Sequence, residues 1–368
     1  MIKKTVLDKI EKGYALLITR TAGGDVLFVG SEREGGESRI INIKTGEVSL
    51  ATDQMGGMMH IINLPDQTSA PKSRKYLAAM GMYAPFIGRQ AAVYLLEDSG
   101  MWGLPWTVTK QFEMPFVHRL GYKSLGGRQN LLVAVVSEDK ENPDDWSKPG
   151  RLYCCDVEAG ANKGEWSFSP VGGELFRHHG MWTGTIDGTE EVLVSAAEGI
   201  FGIHEDSNGS FVLTQLVKNE VSEMVFADLD GDGHDELVTI EPFHGNLIRV
   251  YKRSEPSTGA FDPNNWNIIW ERDDLHFAHG LNVVPVQGRQ LIIVGNRRSG
   301  CELLGFVYSA QNGDFSRIVI DEGVGPTQIE PWFGPTCTEK DPQAISLLSC
   351  NQESQEVAMY SITNIELS

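Results

Sequence analysis

Residues 226–238 read Phe226-Ala227-Asp228-Leu229-Asp230-Gly231-Asp232-Gly233-His234-Asp235-Glu236-Leu237-Val238. Apolar residues at both ends enclose a turn rich in glycine and acid, which predicts a strand, a tight loop and a second strand. Carboxylates stand at loop positions 1, 3, 5 and 9, namely Asp228, Asp230, Asp232 and Glu236. Hard oxygen ligands at this spacing suit Ca2+, with Gly233 at position 6 permitting the sharp turn and the His234 carbonyl supplying position 7. Position 12 is Thr239 rather than glutamate, and the flanks read as strands, which argues against an EF-hand. The alternative is an acidic surface turn that binds nothing. Four carboxylates crowded in one turn repel one another unless a cation neutralises them, so calcium is the expectation.

The same strand, turn, strand unit recurs along the chain. Its turns are Gly23-Gly24-Asp25, Gly88-Arg89-Gln90, Gly127-Arg128-Gln129, Gly188-Thr189-Glu190, Gly233-His234-Asp235, Gly288-Arg289-Gln290 and Asp341-Pro342-Gln343. Their spacing runs from 39 to 65 residues with a mean of 53, which makes seven units in 368 residues. A period near 50 with two apolar and two more polar strands per unit predicts an all-β fold, a seven-bladed β-propeller. A solenoid would need a steadier repeat length. Thr5-Val6-Leu7-Asp8 is similar to Ile318-Val319-Ile320-Asp321, the outer strand before the last unit. Residues 1–10 are therefore expected to complete the last blade, built from Trp332 to Ile362, so that residues 1–368 form one propeller domain closed between its termini.

Lys+Arg total 31 against Asp+Glu 50, a net charge of −19, and there is no basic run, so nucleic acid is not an expected partner. No apolar run approaches the length that spans a bilayer, so no membrane association is expected. The first ten residues lack the apolar stretch of a secretory signal. Five cysteines, one adjacent pair among them and no CxxC spacing, read as reduced thiols rather than disulfides or a zinc site. A cytoplasmic protein is the expectation; oligomeric state is not legible.

The run from Asp228 to Val238 resembles the calcium loop of FG-GAP/VCBS-type propeller repeats, found in integrin α-chains and many bacterial proteins. The match is close in this one unit; Asp187-Gly188-Thr189-Glu190-Glu191 is its nearest relic elsewhere. The resemblance implies a calcium-stabilised propeller and no activity.

The residues nine before the seven turns are Tyr14, Ala79, His118, His179, Met224, His279 and Trp332. Three are histidine, where nine histidines in the whole chain would place well under one. Equal offsets predict equal depth around the central channel, at the mouth opposite the acidic loop. Glu241, His244 and Arg297 follow second strands that return to that mouth. Three readings stay open: His118, His179 and His279 ligate a transition metal such as Zn2+; they serve as acid, base and charge-stabilising groups without one; or they are hydrogen-bonded channel linings. Nearby Trp182, Phe243, Phe277 and Trp332 suit the C–H faces of a sugar, so the expected partner is a small carbohydrate-like ligand. The region of His179, Glu241, His244 and His279 is similar to propeller carbohydrate eliminases, the aldos-2-ulose (anhydrofructose) dehydratase group and, less closely, the ulvan lyases. That resemblance implies a carbon–oxygen lyase using β-elimination. A non-catalytic propeller binding a carbohydrate or protein partner is the alternative. Nucleophile-elbow, dinucleotide, P-loop and HExxH patterns are absent.

Overall fold

The computed structural model describes the chain apart from residues 1, 22–23, 65–73, 84–85, 126, 257–258, 335–344 and 364–368. Its strands form seven four-stranded antiparallel sheets, each a meander except the last, which takes its fourth strand from the N-terminus. The protein is a seven-bladed β-propeller. The blades occupy residues 13–52, 60–113, 117–175, 181–217, 223–272, 278–321, and 326–362 together with 2–9. Among the described residues there is one short helix, Val157–Lys163, capped by the Asp156 carboxylate, which accepts from the Ala159 N–H at 3.0 Å.

Burial explains the strand order within a blade. Second strands are covered on both faces and read as continuous apolar runs. Every residue of Glu236–Glu241 is buried, as are Leu291 to Asn296 in Arg289–Asn296. Fourth strands are half-solvated: Trp266–Arg272 and Thr107–Glu113 expose most of their side chains. A blade's faces stay dry only against neighbouring blades.

Contacts group the chain into two compact units. One comprises Met1–Lys9, Trp182–Gly202 and Gln215–Ser368, the other Ile10–Met181 and Ile203–Thr214. In the first, Val238, Ile240 and Val250 of the fifth blade pack with Ile292, Val294 and Phe306 of the sixth. Leu291, Ile293 and Val307 pack in turn with Leu347, Ala358 and Tyr360 of the seventh. In the second, Phe28 and Ile40 meet Tyr76 and Ala78, and Leu77 and Val93 meet Leu131 and Val133.

The seventh blade closes as the sequence predicts. Strand Ile2–Lys9 pairs antiparallel with Glu356–Ile362, from Ile2 opposite Ile362 to Lys9 opposite Glu356, with a bulge between Val6 and Asp8. The Lys4 ammonium lies 2.8 Å from both the Asp321 and the Glu356 carboxylates. The Tyr360 hydroxyl, fully buried, donates to Asp321 at 2.7 Å and accepts from the Asn351 amide at 2.8 Å. The blade's first strand is Pro326–Trp332, so it begins six residues before the predicted Trp332. The predicted turn Asp341-Pro342-Gln343 and Cys337 lie outside the described residues. The other four cysteines form no disulfide among the described residues. No helix among the described residues is long and apolar enough to cross a membrane.

Candidate functional site

A repeated backbone device opens the blades. Lys12, Phe116, Arg177 and Phe277 adopt left-handed conformations, φ between 52° and 60°, as do Gly57 and Gly325 at equivalent places. Non-glycine residues rarely hold such a φ, so the surrounding structure imposes it. The carbonyls of Lys12, Phe116, Phe277 and Gly325 accept from the N–H of Glu32, Val136, Arg297 and Gln352, each just past its blade's second strand. Two residues after the left-handed residue comes Tyr14, Met59, His118, His179, His279 or Thr327. At Tyr14, His118, His279 and Thr327 the pairing register slips, so each stands in a bulge, His279 together with Gly280.

This device corrects three of the seven predicted equivalences. Ala79 lies on the second strand of its blade, Arg74–Met80, and pairs with His60 on the first. The reason is that Gly88-Arg89-Gln90 joins the second and third strands rather than the first and second. Met59 takes the place assigned to Ala79. Trp332 lies at the far end of its strand, and Thr327 takes its place. Met224 pairs regularly with Thr239. Tyr14, His118, His179 and His279 keep theirs.

In one unit, His118 and His179 come together, both fully buried, with ring centroids 4.5 Å apart. The Tyr14 hydroxyl shares a hydrogen bond of 3.2 Å with His118 Nε2. His60 joins the same region by accepting from the Leu120 N–H at 3.1 Å through Nδ1. His178, beside His179, is fully buried, and burial depresses its pKa to about 4, with the Arg151 backbone opposing and His179 adding to the fall.

In the other unit, His279 and His244 come together. His279 is 1% exposed and His244 8% exposed, with centroids 4.9 Å apart. His279 Nδ1 lies 2.7 Å from the Thr327 carbonyl oxygen. A carbonyl can only accept, so Nδ1 carries the proton. A ring nitrogen donating to a backbone carbonyl is the orientation that metal-ligating histidines adopt. His244 is sandwiched between Phe243 at 4.1 Å and Phe277 at 4.5 Å. Its own φ is 47°. Gly245 follows because a Cβ there would lie 2.2 Å from the Glu241 carbonyl oxygen. The Gly245 carbonyl accepts from the Ala278 N–H at 3.0 Å, tying the His244 loop to the His279 strand.

Two predicted catalytic residues are engaged elsewhere. Glu241, 3% exposed, accepts from the Tyr251 hydroxyl at 2.6 Å, the Thr239 hydroxyl at 2.7 Å, the Arg249 guanidinium at 2.6 Å and the Asn219 amide at 3.4 Å. Burial and this carboxylate keep the Tyr251 phenol protonated far above its usual range. Glu241 is thus an anchor between the second and third strands of its blade. Arg297 bonds Gln352 and approaches Glu353 at 3.5 Å, with its guanidinium 5.2 Å from the Phe277 ring centre. The exposed Arg298 stacks closer on that ring, at 4.5 Å.

The acidic loop joins the first and second strands of the fifth blade, Glu223–Ala227 and Glu236–Glu241. Glu236 and Glu241 end the same strand, so the loop and His244 stand about 16 Å apart along it. Oxygens of Asp228, Asp230 and Glu236 lie within 4.8 Å of one another, the right donor type for calcium. The space among the carboxylates, however, holds the Lys252 ammonium, 2.5 Å from Asp230, 2.7 Å from Asp232 and 2.9 Å from Glu236. An ion bridging Asp230, Asp232 and Glu236 and the Lys252 ammonium would need the same place. His234 faces Asp187 at 3.8 Å. Asp187 and Asp235 accept reciprocally from each other's N–H groups, at 2.9 and 2.6 Å, and Arg253 bonds Asp187, which latches this hairpin to its neighbour.

No protein-family model matches the chain, and no curated protein matches it. Among solved structures it is similar to the β-propeller domain of Cps50 (Swd1) from Myceliophteria thermophila, with 12% sequence identity and a TM-score of 0.55. The match covers 98% of this chain and 100% of that one. At that identity the likeness shows the propeller fold alone.

Proposed function

We propose that His244 and His279, both buried and with ring centroids 4.9 Å apart, hold one divalent transition-metal ion, zinc or another. His118, bonded to Tyr14, stands beside His179. The observation that carries this reading is the pair of buried imidazoles itself: His279, with Nδ1 2.7 Å from the Thr327 carbonyl oxygen, stands 4.9 Å from His244 between ring centres.

On this reading the protein is a lyase for a small sugar derivative, as the resemblance to propeller eliminases implies. In a β-elimination the proton α to a carbonyl or carboxylate passes to a base. Its electron pair forms the carbon–carbon double bond, and the β-oxygen leaves with a proton. A bound divalent ion supplies charge stabilisation at the carbonyl or carboxylate oxygen. Phe277 offers a flat face to the sugar, and Arg298 a cation to a sugar acid. The test is incubation with neutral and acidic sugars, with ultraviolet detection of an unsaturated product. Product formed by wild type and lost in His279→Ala supports the lyase; no product from any metal-loaded preparation contradicts it.

A second reading, a binding module without catalysis, is favoured by one observation: the carboxylate assigned a catalytic role, Glu241, is saturated by four donors. It predicts saturable carbohydrate binding with no turnover.

A further inference from the structure

We propose that Lys252 is the resident cation of the acidic loop, a tethered ammonium standing where related loops are expected to carry calcium. The argument begins with strand register. Leu247–Arg253 runs antiparallel to Glu236–Glu241 with Leu237 opposite Tyr251, so Lys252 falls opposite Glu236 at the mouth of the loop. From there its side chain reaches across to the turn. An ammonium has three N–H donors. Here three carboxylates surround it, those of Asp230, Asp232 and Glu236, all within 2.9 Å.

The remaining acceptors are met by the loop's own backbone. Asp228 accepts from the Gly231 and Gly233 N–H groups at 2.8 and 3.0 Å, one on each oxygen. The second Glu236 oxygen accepts from the Leu229 N–H at 2.8 Å. Glu236 is 1% exposed, so its carboxylate needs a counter-charge close by. Burial pushes the Glu236 carboxyl up, and Lys252 and the Leu229 N–H oppose that rise. The ion pair with Lys252 also holds Asp232 below the usual carboxylate range. A calcium ion bonds its oxygens at about 2.3–2.6 Å and takes six to eight of them. An ion coordinated by Asp230, Asp232 and Glu236 would occupy the volume of Lys252 Nζ. Two cations cannot share it, so calcium binds only by expelling the lysine.

The hairpin is therefore set without metal, and calcium and Lys252 compete for one place. The experiment is terbium luminescence and calcium-dependent thermal unfolding of the whole protein, wild type beside Lys252→Met. Wild type is expected to show the same melting temperature in EDTA and in millimolar calcium. Lys252→Met is expected to melt lower in EDTA, to recover with calcium, and to bind calcium at least about ten-fold more tightly than wild type, since a unit positive charge has left the site. Wild type that binds calcium as tightly as Lys252→Met overturns the proposal, and so does a variant that gains no calcium response. Should Lys252→Met fail to fold, amine labelling of wild type read by mass spectrometry decides. Lys252 is expected to react far more slowly than the exposed Lys3 in EDTA; equal rates overturn the assignment.

Discussion

Replacing Glu241 by alanine is expected to unfold the protein more readily before it affects any chemistry. The carboxylate is 3% exposed and accepts three hydrogen bonds between 2.6 and 2.7 Å, from Tyr251, Thr239 and Arg249, with Asn219 further off at 3.4 Å. Removing one partner of a buried ion pair costs about 3–5 kcal/mol, because the other partner is left without compensation. Arg249 keeps Glu271 at 2.9 Å, which places the expected loss toward the lower end of that range. The unfolding entropy of a globular chain is about 2.1 cal/mol/K per residue, so over this length a loss of that size lowers the melting temperature by about 4–6 °C. Tyr251→Phe deletes one hydrogen bond to a charged group, about 1.5–3 kcal/mol, and is expected to be milder. Urea unfolding followed by circular dichroism and a thermal scan measure both. Glu241→Ala within about 1 kcal/mol of wild type would refute the reasoning and return Glu241 to the candidate catalytic groups.

Three further outcomes follow from the same contacts. Deleting residues 2–9 removes the strand that pairs with Glu356–Ile362 and the Lys4 ion pairs, so the truncated protein is expected to melt well below wild type; an unchanged melting temperature contradicts the shared blade. His178 has a folded pKa of about 4 against about 6.5 in the unfolded chain, so between those values the unfolded state binds the extra proton and stability falls as pH is lowered. His178→Leu is expected to flatten that part of the stability curve by up to about 1.4 kcal/mol per pH unit, and an unchanged slope in urea titrations from pH 6.5 to 4 contradicts the assignment. Tyr14→Phe removes the buried hydrogen bond to His118 Nε2 and is expected to cost about 0.5–1.5 kcal/mol in urea unfolding; an unchanged midpoint contradicts that bond.

Much of the fold was legible because a propeller writes itself as a period. The glycine turns between first and second strands marked most blades, and the likeness of Thr5–Asp8 to Ile318–Asp321 located the closing strand. The failures came where a blade breaks that rule. The sequence between the first two strands of the second blade, His60–Asn63 and Arg74–Met80, holds no glycine, so the count slipped onto Gly88 and overlooked His60 and Met59. Counting from a turn also could not see the left-handed residue and bulge that set depth in the blade. A glycine two residues ahead, Gly57 before Met59 and Gly325 before Thr327, was the legible trace of that device. Of the site, His118, His179, His244 and His279 were found by position. The engagement of Glu241 was not, because Tyr251 and Arg249 reach it from a neighbouring strand. Lys252 was within reach of sequence reasoning: in an antiparallel hairpin, pairing Leu237 with Tyr251 sets Lys252 opposite Glu236.

The metal content of the purified protein tests the central claim most directly. Elemental analysis after exhaustive dialysis is expected to find one equivalent of a divalent transition metal per chain in wild type. His244→Ala and His279→Ala should each lack it while keeping the wild-type circular dichroism spectrum. Wild type devoid of transition metal after purification in metal-supplemented buffer, or both variants retaining a full equivalent, would contradict the account.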